Sequence, residues 1–169
     1  MEFLDFFKRN KLIWEVTILI LLSAFITGKL QNLVCYEDPE KAYEHAKRDK
    51  AVLVIDGDTT SYVVGEDDSI ILEKDENGWR IPSVEVTKSK GWTINKTILI
   101  GIVSHKSTNE WYIAITEVAG NSLEISDNRN TKFDVVKRAG ESGKTYYAYI
   151  PGLDDDYVLY INDQEIRLE

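Results

Sequence analysis

TILIGIVSH (residues 97 to 105) and EWYIAITEV (110 to 118) decide the fold class. Both are β-branched and aromatic runs with a period of two, and the His-Lys-Ser-Thr-Asn between them is a cluster of turn formers. The same pattern continues to the C-terminus through SLEIS (122 to 126), KFDVVK (132 to 137), TYYAYI (145 to 150), YVLYI (157 to 161) and QEIRL (164 to 168). Seven short strands at such regular spacing predict a β-sandwich or barrel. Upstream, AVLVID (51 to 56), SYVVG (61 to 65), SIILEKD (69 to 75) and GWRIPSVEV (78 to 86) are separated by Asp-Gly-Asp, Glu-Asp-Asp and Asp-Glu-Asn-Gly. These predict an antiparallel meander, and SKGWTIN reads as the passage from one series to the other.

Further upstream the period changes. Asp38-Pro39-Glu40 predicts a helix start, with Asp as N-cap, Pro in the first turn and an acid near the positive end of the dipole. Ala42, Tyr43 and Ala46 give that helix one narrow apolar face.

LIWEVTILILLSAFITGKL (12 to 30) is apolar over 19 residues, and as a helix it would span about 28 Å, near the hydrocarbon thickness of a bilayer. Glu15 lies within one turn of its start, beside Trp14, where headgroups are in reach. Lys8, Arg9 and Lys11 precede the run, so the positive-inside bias predicts a cytoplasmic N-terminus and an extracytoplasmic body. A cleaved signal peptide would share this charge order, with Val16 to Ile26 as its apolar region, but Ile26-Thr27-Gly28 is a weak cleavage site. A lipoprotein reading would use Cys35, and Asn32-Leu33-Val34 lacks the lipobox residues. A buried core helix is the fourth option. The expected organisation is a tail (1 to 11), a single-pass signal-anchor (12 to 30), a connecting segment with a short helix (31 to 50), a β-meander (51 to 94) and a β-sandwich-like part (95 to 169).

Charge narrows the partners. The chain carries −9 overall, and with four basic and three acidic side chains in residues 1 to 35, the remainder holds −10. An acidic body of this kind repels phosphate backbones, which argues against nucleic acid. One cysteine, Cys35, allows neither an internal disulfide nor a cysteine-based metal cluster.

AGESGKT (139 to 145) imitates a phosphate-gripping loop without meeting its terms. Arg138 stands where the first glycine is required, and YYAYIP after the loop alternates and ends at Pro151, where no helix can begin. The expectation is a polar hairpin connection and no bound nucleotide. Asp154-Asp155-Asp156, Asp56-Gly57-Asp58 and Glu66-Asp67-Asp68 lack EF-hand spacing and read as solvated turns, with calcium as the alternative. His45 reads as exposed on the connecting helix and His105 as a loop histidine beside Ser104 and Ser107, without the buried acid that a triad needs. Asn95-Lys96-Thr97 is a sequon of relevance to a eukaryotic secretory route only. No catalytic residue, metal ligand or cofactor is assigned.

Trp79, Trp92, Trp111, Tyr112, Tyr146, Tyr147, Tyr149 and Tyr160 could fill a core or form a carbohydrate- or peptide-binding face. Residues 97 to 169 resemble an immunoglobulin-like sandwich in strand count and spacing, and Tyr157 stands where that fold places its tyrosine corner. With its tail, single span, brief helix and phrases such as LEKDENGW and YVLYINDQEI, the whole chain resembles small single-anchor envelope proteins of Gram-positive, Bacillus-type bacteria. That resemblance implies location and architecture and carries no residue roles. The expected function is a membrane-anchored, non-catalytic extracytoplasmic binding module for a protein or cell-wall partner, touching it through an edge strand or aromatics such as Trp111 and Tyr147. The alternatives are an accessory subunit docking through Glu15 and its helix, and an envelope hydrolase using acids that the sequence does not single out.

Overall fold

A computed structural model describes residues 16–23, 34–82, 87–105, 108–137 and 143–168. The chain divides into two units, Met1–Val34 and Cys35–Glu169. In the first, residues 16–23 form helix α1, and all eight side chains are exposed. The rest of the expected 12–30 span, Glu15 included, lies outside the described residues. Among the described residues no helix is long and apolar enough to cross a membrane.

The second unit is mainly β, and its described residues form three antiparallel sheets and one helix. Helix α2 (Pro39–Lys47) begins as its sequence dictates: the Asp38 side chain accepts from the Lys41 amide at 2.8 Å and Pro39 opens the first turn. It ends where Arg48 turns left-handed at φ 55 and donates its amide to the Glu44 carbonyl.

Strands β1 (Ala51–Asp56), β2 (Thr60–Gly65), β3 (Ser69–Asp75) and β4 (Gly78–Arg80) make a four-stranded meander. Its alternation sends two apolar sets in opposite directions. Val63, Leu72 and Trp79 bury against Ala42 and Tyr43 of α2, whereas Ile55, Val64 and Ile71 bury against the next sheet.

That next sheet holds β5 (Thr87–Ile94), β6 (Ile98–His105), β7 (Glu110–Glu117), β10 (Lys144–Pro151) and β9 (Asp134–Val136), in the order β5-β6-β7-β10-β9. Ser-Lys-Gly-Trp-Thr-Ile, read from the sequence as a passage between two series, is part of strand β5. It pairs with β6 along its length, so the expected boundary between residues 94 and 95 falls inside a hairpin. Asn95 and Lys96 both take positive φ (49 and 61), the primed-turn geometry that matches strand twist. GWRIPSVEV, read as one strand to residue 86, leaves the ladder after Arg80, where Ile81 and Pro82 follow and Pro82 lacks an amide for it; residues 83 to 86 lie outside the described residues.

The third sheet is β12 (Gln164–Arg167), β11 (Val158–Ile161) and β8 (Ile125–Asp127), in that order. Ile100, Ile102, Ile113, Ile115 and Ile150 on one face of the five-stranded sheet pack with Leu159 and Ile161 of this sheet. The other face carries Tyr112 and Tyr147 against the meander. The order of layers is therefore helix, four strands, five strands, three strands. The middle of the five-stranded sheet, β7 and β10, is covered on both faces.

AGESGKT connects β9 to β10, which pair as Thr145 with Val136. Thr145 is the second residue of a strand, as its flanks predict, and no helix begins there. A Cβ on Gly143 would lie 1.9 Å from the Glu117 carbonyl, so this glycine serves the close approach of β10 to the end of β7.

Candidate functional site

β4 is short, and its pairing with β3 covers only Glu73–Asp75. Beside the uncovered start of β3 the fold leaves a cavity of about 370 Å³, between the C-terminal end of α2, Ile81 and the end of β6. Ile70, Ile71 and Val103 supply its apolar wall. Polar groups enter at defined places. The Tyr62 and Ser69 hydroxyls meet at 2.7 Å. Lys47 reaches the rim and pairs with Asp68 at 2.7 Å, both partly exposed. That ammonium, followed by the Ser69 amide, holds the Asp68 carboxyl below the usual carboxylate range.

His105 completes the wall. It is 5% exposed and its Nε2 lies 2.9 Å from Glu73 Oε1, whose other oxygen accepts from Arg80 Nε at 3.2 Å. The sequence places His105 at a strand end and reads it as a loop histidine. It does end strand β6, but it is buried and faces the meander, because the residues of β6 alternate and His105 shares the side of Val103. Its acid partner lies on β3, far back along the chain, which local reading cannot find.

A second polar centre sits where the β1–β2 hairpin meets the five-stranded sheet. Glu110, 7% exposed, accepts from the Thr59 amide at 2.7 Å, the Thr60 amide at 2.9 Å and the Thr59 hydroxyl at 3.0 Å. The Thr60 hydroxyl also donates to it and lies 2.7 Å from the Tyr112 hydroxyl. Burial pushes the Tyr112 phenol far up, and the Glu110 carboxylate adds to this. Tyr149 is pushed in the same direction by burial, then by Glu110 and Asp58. With four donors upon it, the Glu110 carboxylate clamps the β1–β2 hairpin to β7.

The aromatics that the sequence assigns either to a core or to a contact face are largely interior. Tyr147 is 5% exposed and packs between the meander and the five-stranded sheet. Trp111 is half-buried on the opposite face, with its indole N–H donating to Asn109. The two residues therefore do not share a surface. Tyr157 is 2% exposed, with the Arg129 guanidinium 5.3 Å from its ring. The acidic turns have protein partners: Asp154 pairs with Arg129 at 2.6 Å, and Asp56 accepts from Ser61 at 2.7 Å. Among the described residues, no three His, Cys, Asp or Glu side chains converge to hold a metal.

No protein family, curated protein or solved structure matches this chain.

Proposed function

We propose that the protein is a membrane-anchored, non-catalytic binding module whose body lies outside the cell and whose N-terminus lies inside. The observation that carries this reading is the exposure of α1. Leu19, Ile20 and Leu21 are 70%, 60% and 64% exposed in a continuous apolar helix, and such a surface needs an apolar environment. Lys8, Arg9 and Lys11 ahead of it favour the inward N-terminus.

The strand order supports an immunoglobulin-like body. β6-β7-β10-β9 and β12-β11-β8 correspond to A-B-E-D and G-F-C of a seven-stranded sandwich, and Tyr157 precedes the strand equivalent to F. β5 extends the first sheet at its A edge, and the meander covers that sheet's outer face. The GFC-like sheet keeps its outer face, including Tyr160 and Glu165, open to a partner.

Topology is tested by expressing the full chain in a bacterial host with a tag at each end. Alkaline extraction should leave it in the membrane, and protease added to spheroplasts should remove the C-terminal tag while sparing the N-terminal one. Release of the intact chain, or protection of the C-terminal tag, overturns the reading.

A further inference from the structure

We infer that the cavity beside β3 binds a small carboxylic acid with an apolar body, its carboxylate at Lys47 and its body against Ile71 and Val103. The inference does not depend on membrane anchoring. The volume, about 370 Å³, falls at the lower end of small-molecule sites and suits one ring with a short chain. The walls are fixed by strand pairing of β2, β3 and β6, so the space is preformed.

Charge selects the head group. Among the described residues no acid lines this cavity, whereas Lys47 and His105 both do. The acids nearby are turned onto those basic groups: Asp68 onto Lys47 at 2.7 Å and Glu73 onto His105 at 2.9 Å. An ammonium has three N–H donors, so Lys47 can hold Asp68 and a ligand carboxylate together. An amine would meet Lys47 with like charge, and an alcohol would forgo the charge-assisted bond.

The probe is 4-phenylbutyrate, titrated by calorimetry into the full chain in mild detergent against the same detergent alone, with 4-phenylbutanol and 4-phenylbutylamine as controls of equal body. One saturable site is expected for the acid, with the alcohol and amine at least about tenfold weaker. Lys47→Gln should weaken the acid about tenfold and leave the alcohol unchanged, and Asp68→Asn should tighten the acid by removing its competitor. Val103→Trp should abolish binding by filling the space; Ala46→Trp, at the half-buried rim, does the same should the first fail to fold by near-ultraviolet circular dichroism. The inference is overturned by no saturable binding to the wild-type chain, by equal affinity for acid and alcohol, or by binding that survives Ala46→Trp.

Discussion

Glu110 of β7 and Thr60 of β2 are 50 residues apart, and the Glu110 carboxylate accepts both the amide and the hydroxyl of Thr60. This contact ties the tip of the first hairpin to the central sheet. Gly57 lies directly above: a Cβ there would approach the Tyr112 hydroxyl to 2.7 Å and Glu110 Oε2 to 2.8 Å.

Removing that carboxylate should be costly. Glu110→Ala leaves the buried amide and hydroxyl of Thr60, and the part-buried ones of Thr59, without their acceptor, and the expected loss is about 3 kcal/mol. Glu110→Gln retains one acceptor oxygen and should lose about half as much. Urea unfolding of the two variants measures both losses. Equal midpoints for Glu110→Ala and wild type would show that the clamp contributes nothing.

Gly143 and Lys144 should part company. Gly143→Ala forces β10 away from the Glu117 carbonyl and should destabilise by about 1–3 kcal/mol. Lys144→Ala, in the half-buried first position of β10, should change stability by less than about 0.5 kcal/mol. A phosphate-gripping loop predicts the reverse emphasis, with the lysine essential to nucleotide binding. Thermal unfolding with and without ATP and magnesium separates the two.

Acid should unfold the sandwich through Asp127. Burial works to raise its carboxyl, but hydrogen bonds from Thr131 and from the Arg129 amide prevail and hold it below the ordinary carboxylate value. A depressed folded value contributes stability above the unfolded value, about 3.9, and that contribution is lost as pH falls through the folded one. Asp127→Asn should therefore be less stable at pH 7 and show a flatter decline below about pH 4. Stability against pH by urea titration reads this; an unchanged acid limb would count against it.

The alkaline limb runs the other way. The Tyr157 phenol is raised by burial and then by Asp127, and Tyr112 by burial and Glu110. Raised values contribute stability below the unfolded value, about 10, and lose it as pH climbs beyond. Phenolate absorbance should show these two among the nine tyrosines ionising only as the protein unfolds. Replacing both by Phe should move the alkaline transition upward, and a transition that stays in place would remove Tyr112 and Tyr157 as its cause.

Local signals and distant contacts divide the account of this molecule. Asp38-Pro39, the alternation of Ile98 to His105 and Glu110 to Glu117, and Asn162-Asp163 between Ile161 and Gln164 each act within a few residues, so helix, strands and turns are readable in order. The flanks of AGESGKT, likewise local, suffice to make it a hairpin. Alternation also tells which residues of a strand share a face, but not what that face meets. The middle of the central sheet is covered on both sides, so Tyr147 and Tyr112 point inward where a two-layer reading leaves aromatics free for a partner. His105 with Glu73 and Glu110 with Thr60 depend on strands brought together from far along the chain, and no spacing encodes them. The cavity arises because β4 stops short and Pro82 cannot continue the ladder, a defect that becomes a site only when α2 and β6 close around it. The sequence by itself determined the elements and their order, because propensity, capping and turn chemistry are nearest-neighbour effects; the tertiary structure alone decided the clamp, the buried histidine and the cavity, because burial and charge pairing are properties of faces in contact.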